Sequence, residues 1–136
     1  MFSSKKRINV VNLRGVIGDL GRFQKGLTFD NTNKIIERAF TFKKPHVVII
    51  NINSPGGSPV QSELIYKKIR TCAKENNAEV ITVAEDVAAS GGYMLMCAGD
   101  KLFANKSSIV GSIGVISASF GFKKLIDKIG IKRRVF

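Results

Sequence analysis

Ser90 stands in Ala88-Ala89-Ser90-Gly91-Gly92-Tyr93, with small residues on both sides. A nucleophilic serine needs that setting. Small neighbours let a peptide backbone come close, and the start of a helix offers free N–H groups where an oxyanion forms. The plainer reading of the same residues is a serine that caps a helix, a common role. A second element bears on the choice. Gly56 and Gly57, in Ser54-Pro55-Gly56-Gly57-Ser58-Pro59, follow an apolar run and present backbone N–H groups without side-chain bulk. Such a turn can need glycine for flexibility alone. Set beside a serine at a neighbouring strand end, it makes a nucleophile and an oxyanion hole.

A serine nucleophile needs a base to take its proton. The single histidine, His46, precedes a strand and belongs at the opposite edge of the sheet, and no histidine follows Ser90, so a Ser-His-Asp triad is not expected. A lysine whose pKa is lowered by burial is the alternative. Downstream of Ser90 stand Lys101, Lys106, Lys123, Lys124, Lys128 and Lys132. Most fall on polar helix faces or beside other cations, where a solvated charge is the plainer reading. The two cysteines, Cys72 and Cys97, are too few for a disulfide scaffold, and with one histidine and no CxxC pair they make no zinc site. No metal and no cofactor is expected.

The elements that position these residues can be read from periodicity. Ile8–Leu13 reads as a strand, and residues 15–26, with four glycines, as loop or hairpin. Asn31–Phe42 carries a helical stripe at Ile35, Ile36, Ala39 and Phe40, with Asp30 or Asn31 as its cap. Val47–Ile52 is almost wholly apolar, the mark of a strand buried on both faces of a parallel sheet. Ser58 and Gln61 fit a capping box, with Pro59 at the first helical position. That helix runs to about Lys74 with Leu64, Ile65, Ile69 and Cys72 on one face. Glu79–Ala84 is a strand, residues 85–89 a turn, and Tyr93–Ala98 helical. Lys101–Ala104 and Ile109–Ile116 are extended, and Phe120–Ile129 is a last amphipathic helix ended by Gly130. This alternation predicts an α/β fold with a parallel sheet and right-handed crossovers. Its sites belong at the carboxyl ends of the strands, where both Gly-rich loops fall.

The chain has 136 residues, 44% of them hydrophobic, enough for one domain and too short for two. Its formal charge is +12, but the excess sits at the ends. Residues 31–120 hold ten basic and seven acidic residues, whereas residues 121–136 hold six basic and one acidic. No aromatic residues interleave with the cations, so nucleic acid is not expected as a partner. The longest apolar stretches are strand-sized and no apolar run follows the basic start, so the chain as given reads as soluble, without a signal peptide or membrane span.

Taken together, Ile52-Asn53-Ser54-Pro55-Gly56-Gly57, Ala88-Ala89-Ser90-Gly91-Gly92-Tyr93 and Val110-Gly111-Ser112-Ile113-Gly114-Val115-Ile116 closely resemble the signal peptide peptidase (SppA) family of serine peptidases. The resemblance runs from the first strand to the last helix. It implies a ClpP/crotonase-like α/β fold of stacked ββα units with a parallel sheet, and one peptidase domain over 1–136. It implies hydrolysis of remnant signal peptides or membrane-associated peptides by a Ser-Lys dyad. Ser90 takes the place of the nucleophile, Gly56, Gly57 and Gly91 that of the oxyanion hole, and Ser112 that of a serine orienting the lysine. Peptide substrates, a homo-oligomer and association with a membrane surface are the implied partners. The family's lysine lies roughly fifty residues beyond the nucleophile, past Phe136, although a base must reach the serine directly. The chain as given is therefore expected to stop short of its base, as a C-terminally incomplete domain, and to be inactive or nearly so alone. The other reading is a catalytically inactive relative, a subunit or peptide-binding module whose basic ends meet anionic lipid. Acyl-CoA chemistry of the crotonase kind ranks third.

Overall fold

The computed structural model describes residues 6–21 and 24–114. Four strands, β1 (Ile8–Arg14), β2 (Val47–Ser54), β3 (Glu79–Ala89) and β4 (Lys101–Ala104), lie side by side in chain order, all parallel. A short β5 (Ile109–Gly111) pairs with the far end of β3. The connections are α1 (Phe29–Thr41), α2 (Pro59–Asn76) and α3 (Gly91–Met96). Parallel neighbours require such crossovers, because a tight hairpin cannot bring the chain back to its starting edge.

The core follows from the two-residue period of the strands. Val11, Ile50 and Thr82 are register partners, as are Leu13, Ile52 and Ala84, and all six are buried on one face. Over them the helices pack side by side, α1 on α2 and α2 on α3. They contribute Ile36 and Phe40, Ile65 and Ile69, and Leu95. The other face is not closed by any of the described residues. There Ile8 and Val10 are 53% and 56% exposed, and Ile49, Ile81 and Val83 are half-buried. The expectation of a β2 buried on both faces is met on the helix face only.

Local chemistry shifts several boundaries. The cap of α1 is Thr28, not Asp30 or Asn31. The Thr28 hydroxyl accepts the Asn31 N–H while Asn31 Oδ1 accepts the Thr28 N–H at 3.0 Å. Ser58 caps α2 and Pro59 opens it, as expected, but Gln61 does not close the box. Its side chain accepts the Phe29 N–H at 2.7 Å and so ties α2 to the start of α1. Within α2, Leu64 is 39% exposed and Ser62 is buried in its place, because the buried stripe turns toward α3. The largest departure is in β3. The expected turn at 85–89 is strand through Ala89, with a register shift opposite Ile52 and Ser54. Arg14 forks onto the Glu85 carboxylate, Asn53 donates to Asp86 Oδ2 at 2.7 Å, and β5 pairs with Val87, Ala88 and Ala89. The expected helix over 120–129 lies outside the described residues.

Candidate active site

The carboxyl ends of β2 and β3 bring the two Gly-rich turns into contact. At Gly56 (φ +97°), a Cβ would lie 2.7 Å from the Ala89 carbonyl oxygen, 2.8 Å from the Gly91 nitrogen and 2.8 Å from Ser90 Cβ. Only a residue with no side chain lets the turns close to that separation. Gly91 and Gly92 meet the same demand from the other side. A Cβ at Gly91 would strike Ser62 Oγ, and one at Gly92 would strike the Ser54 carbonyl oxygen.

Ser90 ends β3 with φ +53° and ψ −119°, outside the regions where an L-residue rests comfortably. Its side chain makes no capping hydrogen bond to α3. Ser90 is thus the N-cap of α3 through its backbone but not through its side chain. Its backbone is nevertheless anchored, since the Ser90 N–H donates to the Gly111 carbonyl at 2.9 Å and the Met94 N–H donates to the Ser90 carbonyl. Backbone held in a sparsely populated region by bonds on both sides is characteristic of functional positions.

The amides of the two turns are not equivalent. The Gly56 N–H donates to Ser54 Oγ at 3.1 Å. The N–H groups of Gly57 and Gly91 have no acceptor among the described residues. The Gly56 carbonyl accepts the Ile17 N–H at 2.8 Å, and the Ser58 N–H donates to the Ile17 carbonyl at 2.7 Å. The segment around Ile17 thus clamps the turn from outside.

Ser90 opens onto a cavity of about 450 Å³, lined also by Gly57, Pro59, Tyr66, Tyr93 and Met94. Gly91, with Ser62, Cys97, Ile113 and Gly114, completes its wall. Sequence reasoning missed Ser62, Tyr66 and Cys97 as wall residues. Ser112 is exposed at φ +55°, one residue past the carbonyl that holds the Ser90 amide, and is not part of the wall.

No lysine among the described residues lines this cavity. Lys101 sits at the amino end of β4 and pairs with Glu79 at 2.6 Å. The hydrogen bond Lys101 donates to Glu79, and then the Glu79 charge, push the Lys101 pKa up, the opposite of what a base requires. Lys106 is exposed and away from the cavity, and the other four downstream lysines lie outside the described residues. His46 precedes β2 at the amino edge of the sheet, where its Nδ1 accepts the Arg7 N–H at 3.3 Å. No group of three or more His, Cys, Asp or Glu side chains among the described residues could hold a metal ion.

Comparison with known proteins places this geometry. Residues 72–136 match the family model described as Peptidase family S49, a span that includes the Ser90 turn, β5 and Ser112. That stretch of the chain is similar to peptidase family S49. Protease 4 of Haemophilus influenzae is 31% identical to this chain over 130 residues, covering 96% of the chain and 21% of that protein. A Na(+)/H(+) antiporter NhaA of Brucella melitensis is 54% identical over 130 residues, covering 95% of the chain and 18% of that protein. The chain therefore spans about a fifth of the length of these relatives. The antiporter's name describes a protein of which the matching region is a minor part, and no helix among the described residues of this chain is long and apolar enough to cross a membrane. Among solved structures, the ClpP1 N165D mutant from Listeria monocytogenes superposes with a TM-score of 0.54 at 18% identity, over 74% of this chain and 53% of that one. At that identity the likeness speaks for the fold, which is the ClpP/crotonase-like α/β fold with a parallel sheet.

Proposed function

We propose that this chain carries the nucleophile and the oxyanion hole of a serine peptidase working by a Ser-Lys dyad. One observation carries the reading. Ser90 is held in strained backbone with its side chain uncommitted to α3, at the mouth of a cavity, beside two amides that have no acceptor among the described residues. Ser90 Oγ attacks the scissile carbonyl carbon as its proton passes to a neutral lysine amine. The C=O π bond opens, and the negative charge that forms on the oxygen is met by the N–H groups of Gly57 and Gly91. Gly56 serves through its missing side chain, because its own N–H is bonded to Ser54. Collapse of the tetrahedral intermediate expels the amine, which takes the proton back from the lysine, and water then hydrolyses the acyl-serine. Ser112, next to the carbonyl that holds the Ser90 amide, is read as the serine that orients that lysine.

The base comes from outside the described residues, because no described lysine lines the cavity. The apolar wall formed by Pro59, Tyr66, Met94 and Ile113 suits an apolar substrate side chain, as found in membrane-derived and signal peptides. Homo-oligomerisation and contact with a membrane surface belong to the same proposal. A fluorophosphonate probe followed by peptide mass spectrometry tests it. The adduct is expected on Ser90 in preference to every other serine and absent in Ser90→Ala. Adducts spread over other serines, or unchanged in Ser90→Ala, refute the nucleophile.

A further inference from the structure

Two successive peptide groups carry the oxyanion turn, and each is held by a different partner. The Gly56–Gly57 peptide is fixed through its carbonyl, which accepts the Ile17 N–H at 2.8 Å. In a trans peptide the N–H points away from the carbonyl. That bond therefore aims the Gly57 N–H away from Ile17, and Gly57 lines the cavity with Ser90. The preceding peptide, Pro55–Gly56, is fixed at its N–H, which donates to Ser54 Oγ at 3.1 Å within the protein interior. Ser54 is fully buried. Its carbonyl and Cβ also fill the space against the bare Cα of Gly92, on the first turn of α3, where a Cβ would strike the carbonyl oxygen and come within 3.2 Å of the Ser54 Cβ. One serine thus touches both turns.

We infer that Ser54 is a positioning residue for the oxyanion hole, acting through the Gly56 amide to fix where the Gly57 N–H points; this rests on the serine peptidase reading above. Without the hydroxyl, the Gly56 N–H is a buried donor with no acceptor. The Pro55–Gly56 peptide can then rotate to find one and carry Gly57 with it. Glycine at both 56 (φ +97°) and 57 (φ +147°) leaves little steric resistance to that rotation.

The test uses the uniformly ¹⁵N-labelled 136-residue chain and its Ser54→Ala and Ser54→Cys variants. Amide hydrogen exchange is read residue by residue, and a peptide boronic acid is titrated, because its tetrahedral adduct with a serine needs no turnover. In Ser54→Ala the Gly56 amide is expected to exchange about tenfold faster or more, the scale of one lost hydrogen bond. The Gly57 amide resonance should shift, Ile50 should keep its protection, and boronate affinity should fall by about the same factor. Ser54→Cys, which retains an acceptor, should fall between wild type and alanine. Unchanged Gly56 exchange in Ser54→Ala, or acceleration spread evenly through Ile50, overturns the role. So does an unprotected Gly56 amide in the wild type, which decides the matter even if the alanine variant does not fold. A wild type that forms no boronate adduct refutes the serine reading separately and leaves the exchange result to decide the turn.

Discussion

Gly56→Ala is the substitution whose cost can be worked most directly from the contact between the two turns. The added methyl would meet the Ala89 carbonyl oxygen at 2.7 Å and the Gly91 nitrogen at 2.8 Å, both backbone atoms that no rotamer change can move. Overfilling a packed site typically costs about 1–3 kcal/mol. Holding a residue with a Cβ at φ +97° adds about 1–2 kcal/mol. The sum is about 2–5 kcal/mol, or a fall in melting temperature of order 10–20 °C for a domain of this size. Gly15→Ala supplies the control. Gly15 has φ +108°, so it bears the same backbone strain, but nothing lies within 4 Å of its would-be Cβ. Its cost should therefore be limited to about 1–2 kcal/mol. Urea unfolding followed by circular dichroism gives both values on one scale, and boronate titration of folded Gly56→Ala should show a loss that Gly15→Ala does not. Equal destabilisation by the two substitutions would refute the argument that contact between the turns, rather than backbone conformation, requires glycine at 56.

Three further outcomes follow from other parts of the molecule. Ser90→Gly should be more stable than Ser90→Ala by about 1 kcal/mol in thermal unfolding, because glycine accepts φ +53° without strain while both variants lose the hydroxyl. Of the two thiols, exposed Cys97 should react with a disulfide reagent in the folded chain and thereby block boronate binding at the cavity it lines. Buried Cys72, whose pKa is pushed up by burial, should react only on unfolding, so release of two thiols under native conditions would contradict the packing. At Asp100, burial pushes the pKa up, but the Val80 N–H and the Arg70 guanidinium outweigh it and hold the carboxyl below its ordinary value. The stabilisation is therefore full above the ordinary carboxylate range, near pH 4, and is lost as pH falls through the lowered value. Asp100→Asn should cost ~1 kcal/mol or less at pH 7, given the exposure of the pair, and the gap should close in acid; a constant gap would exclude the charge as its source.

The strand–helix alternation was legible because each strand is a short apolar run and each helix carries its own stripe, signals confined to a few consecutive residues. The parts that misled depend on distant partners. Glu85 and Asp86 look like a turn in isolation, and the strand survives them because Arg14 and Asn53, far earlier in the chain, take up their carboxylates. Gln61 looks like half of a capping box, but the Phe29 N–H, 32 residues away, claims it first. By type Asp30 and Asn31 are as good caps as Thr28; Asn31 Nδ2, which donates to the Gly26 carbonyl at 2.7 Å, settles the choice. At the site, residue types and neighbours sufficed to single out Ser90 and the two glycine turns. They could not say which glycine amide stays free, since that depends on the direction of one serine hydroxyl. Ser62 gave no signal at all, because a serine in a helical stripe reads as a break in the apolar face, and only Gly91 packed against it explains its burial.

The register shift in β3 sets a rule of parity for the region. Ile52 pairs with Ala84 and Ser54 with Ala88, so two steps along β2 match four along β3. Both counts are even, and Ala88 is therefore buried on the same side as Ala84. Side chains alternate with a period of two. Losing one residue from 85–87 would turn Ala88 outward and rotate the approach to Ser90 by half a turn, whereas losing two would leave its phase intact. Length changes between Ala84 and Ser90 thus keep the phase when they come in pairs and lose it when they come singly.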